Sequence, residues 1–111
     1  MEARKFFLDF SVCVLTLMLS CRGAAGLEPD AKRGQVFVRA NCSECHSIDK
    51  VSPSPLSIAP SFRTLHLRYP VEHLEEALAE GITTGHPTMP EFKLDPGQIG
   101  DVIAYLKSLE P

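Results

Sequence analysis

The sequence predicts an all-α domain of about four helices. Apolar residues recur at helical spacing in several stretches, and residues that start and stop helices bracket them. The 111 residues also contain no hairpin dipeptide and no clear strand. That length allows one small domain, and a hydrophobic share of 44% is a globular value.

The N-terminal segment 1–26 stands apart from the rest. Arg4 and Lys5 make a basic start, 6–19 is an apolar run broken by Asp9, and 20–26 is rich in small residues. This is the pattern of a secretory signal peptide, with cleavage expected after Ala25 or Gly26. The run is too short for a membrane span of about 20 residues, which argues against a retained anchor. Cys21 raises the alternative of a lipidated cysteine, but Met18, Leu19 and Ser20 before it fit a lipoprotein cleavage box poorly. Cys13 reads as filler in the apolar run. The domain expected to remain is 27–111, with Cys42 and Cys45 as its cysteines.

The segment 27–111 is too small to build a large core from side chains alone. It carries four Lys and four Arg against twelve Asp and Glu, a net charge of −4. That balance argues against nucleic acid or an anionic membrane as partner. No internal repeat or low-complexity segment interrupts it.

Asp30 is placed to cap a first helix running to about Asn41. Gly34 in its interior costs about 1 kcal/mol against Ala, as a glycine kept for close packing does. Directly after it comes Asn41-Cys42-Ser43-Glu44-Cys45-His46, a C-x-x-C-H. This is the attachment signature of a c-type haem. Two thiols one helical turn apart can bond both vinyl groups of a porphyrin, and His46 on its short tether coordinates the iron. A zinc site would need two further ligands at suitable spacing, and a thioredoxin-like pair would need a βαβ context; neither is present.

After His46 the periodicity is lost, and Pro53, Pro55 and Pro60 mark loop. The Nδ1–H of a ligating His needs an acceptor that fixes its tautomer. The carbonyl of Pro60 is the candidate, with Pro53 and Pro55 as rivals. A helical turn is expected near 61–66. Pro70 then opens a helix over 71–80 that stops at Gly81, with Val71, Leu74, Leu78 and Ile82 as its buried stripe. Glu72, Glu76 and Glu80 share the opposite face, an ordinary solvated one. The segment 83–94 is loop. Asp95, Pro96 and Gln98 start a last helix on which Ile99, Val102, Ile103, Leu106 and Leu109 follow helical spacing.

Met89 is the one methionine of 27–111. A lone Met in a proline-rich loop is poorly placed as core filler. As a thioether ligand on the second face of the iron it would complete six-coordination, favour Fe(II) and leave no vacant position. His66, His73 and His86 compete for that role, His86 most seriously because it shares the loop.

These motifs together resemble class I (small, monohaem) cytochrome c over almost all of 27–111. The resemblance rests on Gly34, Phe37 and Val38 before Cys42-Ser43-Glu44-Cys45-His46, then Ala59-Pro60-Ser61-Phe62. It continues through Met89 and a final helix with Asp101-Val102-Ile103-Ala104-Tyr105-Leu106. It implies the small cytochrome c fold, helices wrapped round one covalent haem with the first and last helices crossing where Gly34 meets Tyr105. It implies that the carbonyl of Pro60 bonds the haem histidine and that Arg63, Arg68 or Tyr69 holds a propionate. The family's Trp–propionate bond has no counterpart, since the sequence lacks Trp. The run from Phe62 to Pro90 looks like the small periplasmic cytochromes of proteobacteria. The implied function is one-electron carriage in the periplasm by a monomer without a membrane span. The implied partners are a redox donor and acceptor, such as a respiratory complex, an oxidase or a dehydrogenase. Two alternatives are a dedicated electron-accepting subunit of a dehydrogenase, and a haem enzyme or gas sensor with a labile sixth ligand.

Overall fold

A computed structural model describes residues 27–81 and 88–111. The expectations for the 1–26 signal segment, with Cys13 and Cys21, lie outside the described residues, as do those for Ile82, Gly85, His86 and Pro87. Within the described residues the architecture is three α-helices and two 3₁₀ segments, with no strand. The helices are α1 (Ala31–Asn41), α2 (Leu74–Glu80) and α3 (Pro96–Ser108).

Helix α1 starts where expected because the Asp30 carboxylate accepts the backbone N–H of Arg33 at 2.9 Å. Helix α3 starts with a full capping box. Asp95 accepts the N–H of Gln98 at 2.9 Å, and the Gln98 side chain accepts the N–H of Asp95 at 3.2 Å. Pro96 in the first turn lacks a donor that would have had no intrahelical partner anyway.

The helix expected over 71–80 is two elements rather than one. Its first turn, Val71–His73, is 3₁₀, and only from Leu74 onward is it α. The Pro70 carbonyl accepts the N–H of His73 three residues on, a tighter spacing than an α-turn. The single turn expected near 61–66 is a longer 3₁₀ segment, Phe62–Leu67. Helix α2 ends at Gly81, whose φ of +101° suits a residue without Cβ.

The core lies where α1 and α3 cross. Val38 is fully buried there, and Ile99, Val102, Ile103, Tyr105, Leu106 and Leu109 pack from the α3 side. Val71, Leu78 and Leu65 join it, while Leu74 is half-buried at its margin. The crossing is close because Gly34 presents bare backbone to the Asp101 carbonyl and the Tyr105 side chain. Arg33 pins the same crossing. Its Nε donates to Asp101 Oδ2 at 2.7 Å and its Nη2 to Asp101 Oδ1 at 2.8 Å, a two-pronged pair. Hydrogen bonding from Arg33 holds the Asp101 carboxyl below its usual range. Among the described residues no helix is long and apolar enough to cross a membrane.

Candidate functional site

The chain leaves α1 in one further turn. The N–H of Cys42 bonds the Val38 carbonyl at 2.8 Å, and the N–H of His46 bonds the Cys42 carbonyl at 2.9 Å. Cys42 and Cys45 are therefore held on one turn at the end of the helix, both half-buried and both free thiols. Burial pushes the Cys42 thiol up to about 11, so the neutral form is the stable one in this setting.

The thiols open into a cleft with about 690 Å³ of space, part of it open solvent. Three segments supply its lining. The first brings Cys42, Cys45 and His46, the second Leu56, Ile58, Pro60 and Phe62, and the third Met89 and Phe92. The second segment is held against the first by the N–H of Leu56 on the Cys45 carbonyl at 3.1 Å and the N–H of Phe62 on the Ser47 carbonyl at 2.9 Å.

His46 is oriented from behind. Its Nδ1 lies 2.8 Å from the Pro60 carbonyl oxygen. A carbonyl can only accept, so Nδ1 carries the proton and Nε2 keeps its lone pair for a metal. The Phe62 ring packs against the imidazole, with centroids 4.8 Å apart and planes at 35°. Of the three prolines weighed as acceptor, the structure brings Pro60 to the ring.

The third segment is tied to two helices. The N–H of Leu94 bonds the Leu78 carbonyl at 2.9 Å, fastening it to α2. Phe92 meets Phe37 of α1 edge to face, with ring centroids 6.5 Å apart. Phe92 is a wall that sequence reasoning did not single out. The available signal was a large aromatic three residues beyond Met89 in an otherwise polar loop.

Arg63, Arg68 and Tyr69 do not line the cleft. Nη1 of Arg63 donates instead to the Ser52 carbonyl at 2.7 Å, the Ser47 hydroxyl at 3.1 Å and the Asp49 carbonyl at 3.3 Å. These bonds commit Nη1 of Arg63 to the loop beside the cleft. Arg68 and Tyr69 lie exposed beyond the 3₁₀ segment, and His73 is also exposed. His66 lies half-buried on that segment and is not part of the lining.

The residues present fit a covalently held porphyrin. Two thiols share one turn, the walls are mostly apolar, and an imidazole is presented in its metal-ready tautomer. Ser61 lies between two lining residues, and its buried hydroxyl has no partner in the protein. That suits a group with one polar edge.

The sequence profile of the cytochrome c family matches residues 31–110. The chain is 30% identical over 97 residues to a cytochrome c-552 of Bradyrhizobium diazoefficiens, covering 87% of this chain and 91% of that one. It is 34% identical over 83 residues to a cytochrome c-553-like protein of Synechocystis, covering 75% and 72%. It is 32% identical over 90 residues to a cytochrome c6 of Picosynechococcus, covering 76% and 77%. The chain belongs to the cytochrome c family: it is an electron carrier, not an enzyme, with a covalently attached haem c and with Cys42 and Cys45 spaced for the two thioethers.

Proposed function

We propose that the protein carries single electrons in the periplasm between a redox donor and a redox acceptor, with His46 and Met89 as the axial ligands. Residues 1–26 act as its export signal, and 27–111 works as a monomer. One observation carries the ligand assignment: His46, with its Nδ1 held by Pro60, and Met89 line the same apolar cleft as the two thiols.

A haem c bound there supplies a one-electron Fe(III)/Fe(II) couple. The residues do the rest. Cys42 and Cys45 prevent dissociation. His46 offers Nε2 as a strong donor. Met89 offers a soft thioether that favours Fe(II) and raises the potential. Were His46 and Met89 both to ligate the iron, neither substrate nor dioxygen would have a place to bind. Phe62, Phe92, Leu56 and Ile58 keep the surroundings apolar, which limits solvent reorganisation when the charge changes.

The partner surface follows from the rim. Leu56 and Ile58 line the cleft while remaining 38% and 70% exposed. The stretch 50–71 that contains them has Lys50, Arg63 and Arg68 but no Asp or Glu, whereas 72–111 has a net charge of −6. A docking partner such as a respiratory complex, an oxidase or a dehydrogenase would meet an apolar stretch there, with Glu44 as the acidic residue of the lining, and its own acidic patches would be turned away from α2.

The test is an intact-mass measurement with a reduced-minus-oxidised spectrum on protein recovered from the periplasm. The expected result is a chain lacking about 26 residues, as the export signal implies, carrying one haem by two thioethers with low-spin bands in both states. Failure to recover the protein from the periplasm, a chain that keeps residues 1–26, or high-spin bands overturns the reading.

A further inference from the structure

Every polar atom of Ser47, the residue after His46, is spoken for. Its N–H donates to the Ser54 hydroxyl at 3.0 Å. Its carbonyl accepts the N–H of Phe62 at 2.9 Å. Its hydroxyl accepts from Nη1 of Arg63 at 3.1 Å. A serine only 3% exposed with its hydroxyl given to a guanidinium is not a surface filler.

These bonds join two particular segments. One carries the imidazole, at His46-Ser47. The other carries its acceptor and its stacking partner, at Pro60-Ser61-Phe62-Arg63. Three bonds run between them in register: His46 Nδ1 to Pro60, Phe62 to Ser47, and Arg63 to Ser47. Arg63 extends the join to the loop beyond by reaching the carbonyls of Ser52 and Asp49. Asp49 folds that same loop, accepting the N–H groups of Val51 and Ser52 at 2.8 and 2.6 Å.

We propose that Arg63 and Ser47 are positioning residues for the His46 ligand, their hydrogen bond locking the imidazole to its carbonyl acceptor and thereby setting the reduction potential. The physical link is the basicity of the ring. A short, well-aligned Nδ1–H···O=C bond gives the imidazole partial anionic character, which stabilises Fe(III). Any slack between the two segments lengthens that bond, weakens the donor and shifts the couple toward Fe(II).

The inference rests on His46 being the axial ligand, so the wild-type holoprotein is characterised first. NMR of the hyperfine-shifted ring protons decides ligation, and their absence would overturn the ligand assignment itself. The holoprotein variants are then Ser47→Ala, Arg63→Met, Arg63→Lys and the Ser47→Ala/Arg63→Met double variant. The readouts are midpoint potential and solvent exchange of the His46 Nδ1–H.

Changes in groups that directly orient a metal ligand are worth 10- to 100-fold, and this clamp acts one bond further out. The expected shift for Arg63→Met is therefore about threefold toward Fe(II) at fixed potential, with faster Nδ1–H exchange. Ser47→Ala moves both readouts the same way by less, since Arg63 keeps its carbonyl acceptors. Arg63→Lys falls between wild type and Arg63→Met. The double variant matches Arg63→Met alone, because the Ser47 hydroxyl acts only through Arg63. Ser47→Ala removes only a hydroxyl, so it carries the test should Arg63→Met fail to mature. Lower melting temperatures with an unchanged potential and unchanged exchange would reduce the clamp to ordinary structure and overturn the proposal. Additive shifts in the double variant would overturn the shared pathway.

Discussion

Gly34 and Asp101 meet backbone to backbone. A Cβ placed on Gly34 would lie 2.0 Å from the Asp101 carbonyl oxygen and 2.9 Å from Cβ of Tyr105. Neither the carbonyl nor a Cβ is the free end of a flexible side chain, so relief requires the helices to part. Separating α1 from α3 disturbs Val38 and the α3 residues packed on it, and it shifts the turn that carries both thiols.

A helical glycine changed to alanine normally gains about 0.5–1 kcal/mol of stability. At position 34 the sign should reverse. Gly34→Ala is expected to cost about 3 kcal/mol, and Gly34→Val to prevent folding, through overpacking. Denaturant titration of the holoprotein measures this, and wild-type melting of either variant would contradict the account of the crossing.

Met89→Ala tests the sixth ligand. The variant should keep its haem, because both thioethers lie elsewhere. It should lose the weak near-infrared band of Fe(III)–thioether ligation, gain high-spin character and bind carbon monoxide when reduced. Its potential should fall, since the soft donor that favours Fe(II) is gone. An unaltered spectrum would reassign the ligand, with His86 as the next candidate.

Asp49 gives a pH dependence with a definite sign. Hydrogen bonds from Ser52 and Val51 hold its carboxyl down to about 2. A group whose folded pKa is lowered stabilises the fold fully above its unfolded value and loses that effect as pH falls through the folded value. The window is therefore from about 4 down to about 2. Asp49→Asn keeps an acceptor oxygen for the turn but removes the titration. Its stability should vary less than that of the wild type across this window, as followed by thermal melts at successive pH. Parallel curves for the two proteins would remove Asp49 from the acid response.

The local parts of this structure were legible in the residues themselves, while long-range contacts such as Gly34 with Tyr105 were legible only through the family resemblance. Asp30 and Asp95 could be read as caps because a cap bonds a backbone N–H three residues away. The C-x-x-C-H could be read because its chemistry is complete within one turn. Pro60 could be put first as the acceptor for His46, and it is the proline found there, but spacing alone did not exclude Pro53 and Pro55, since only the course of their shared aperiodic loop separates the three. Arg63 shows a related limit: its residue type suggests an anion, and nothing in the sequence reveals that its Nη1 donates to three neutral acceptors of the loop around 47–52. Phe92 escaped notice because its partner Phe37 lies 55 positions earlier on another element.

That aromatic pair leads to a last prediction. The segment carrying Met89 is held to α1 by the edge-to-face contact of Phe92 with Phe37, and to α2 by the bond from Leu94 to Leu78. Phe37→Ala removes the first tie and leaves the second. Phe37 is half-buried, so the cost should sit below that of a full core truncation, at about 2 kcal/mol. The larger consequence should be local. With Phe92 unsupported, the thioether is held less firmly, and added imidazole should displace it at concentrations that leave the wild type unchanged. Leu106→Ala offers the contrast: Leu106 is deeply buried between helices and is not part of the cleft lining, so it should cost more stability without easing ligand displacement. Equal imidazole affinity in the two variants would show that global loosening, not this contact, governs the hold on Met89.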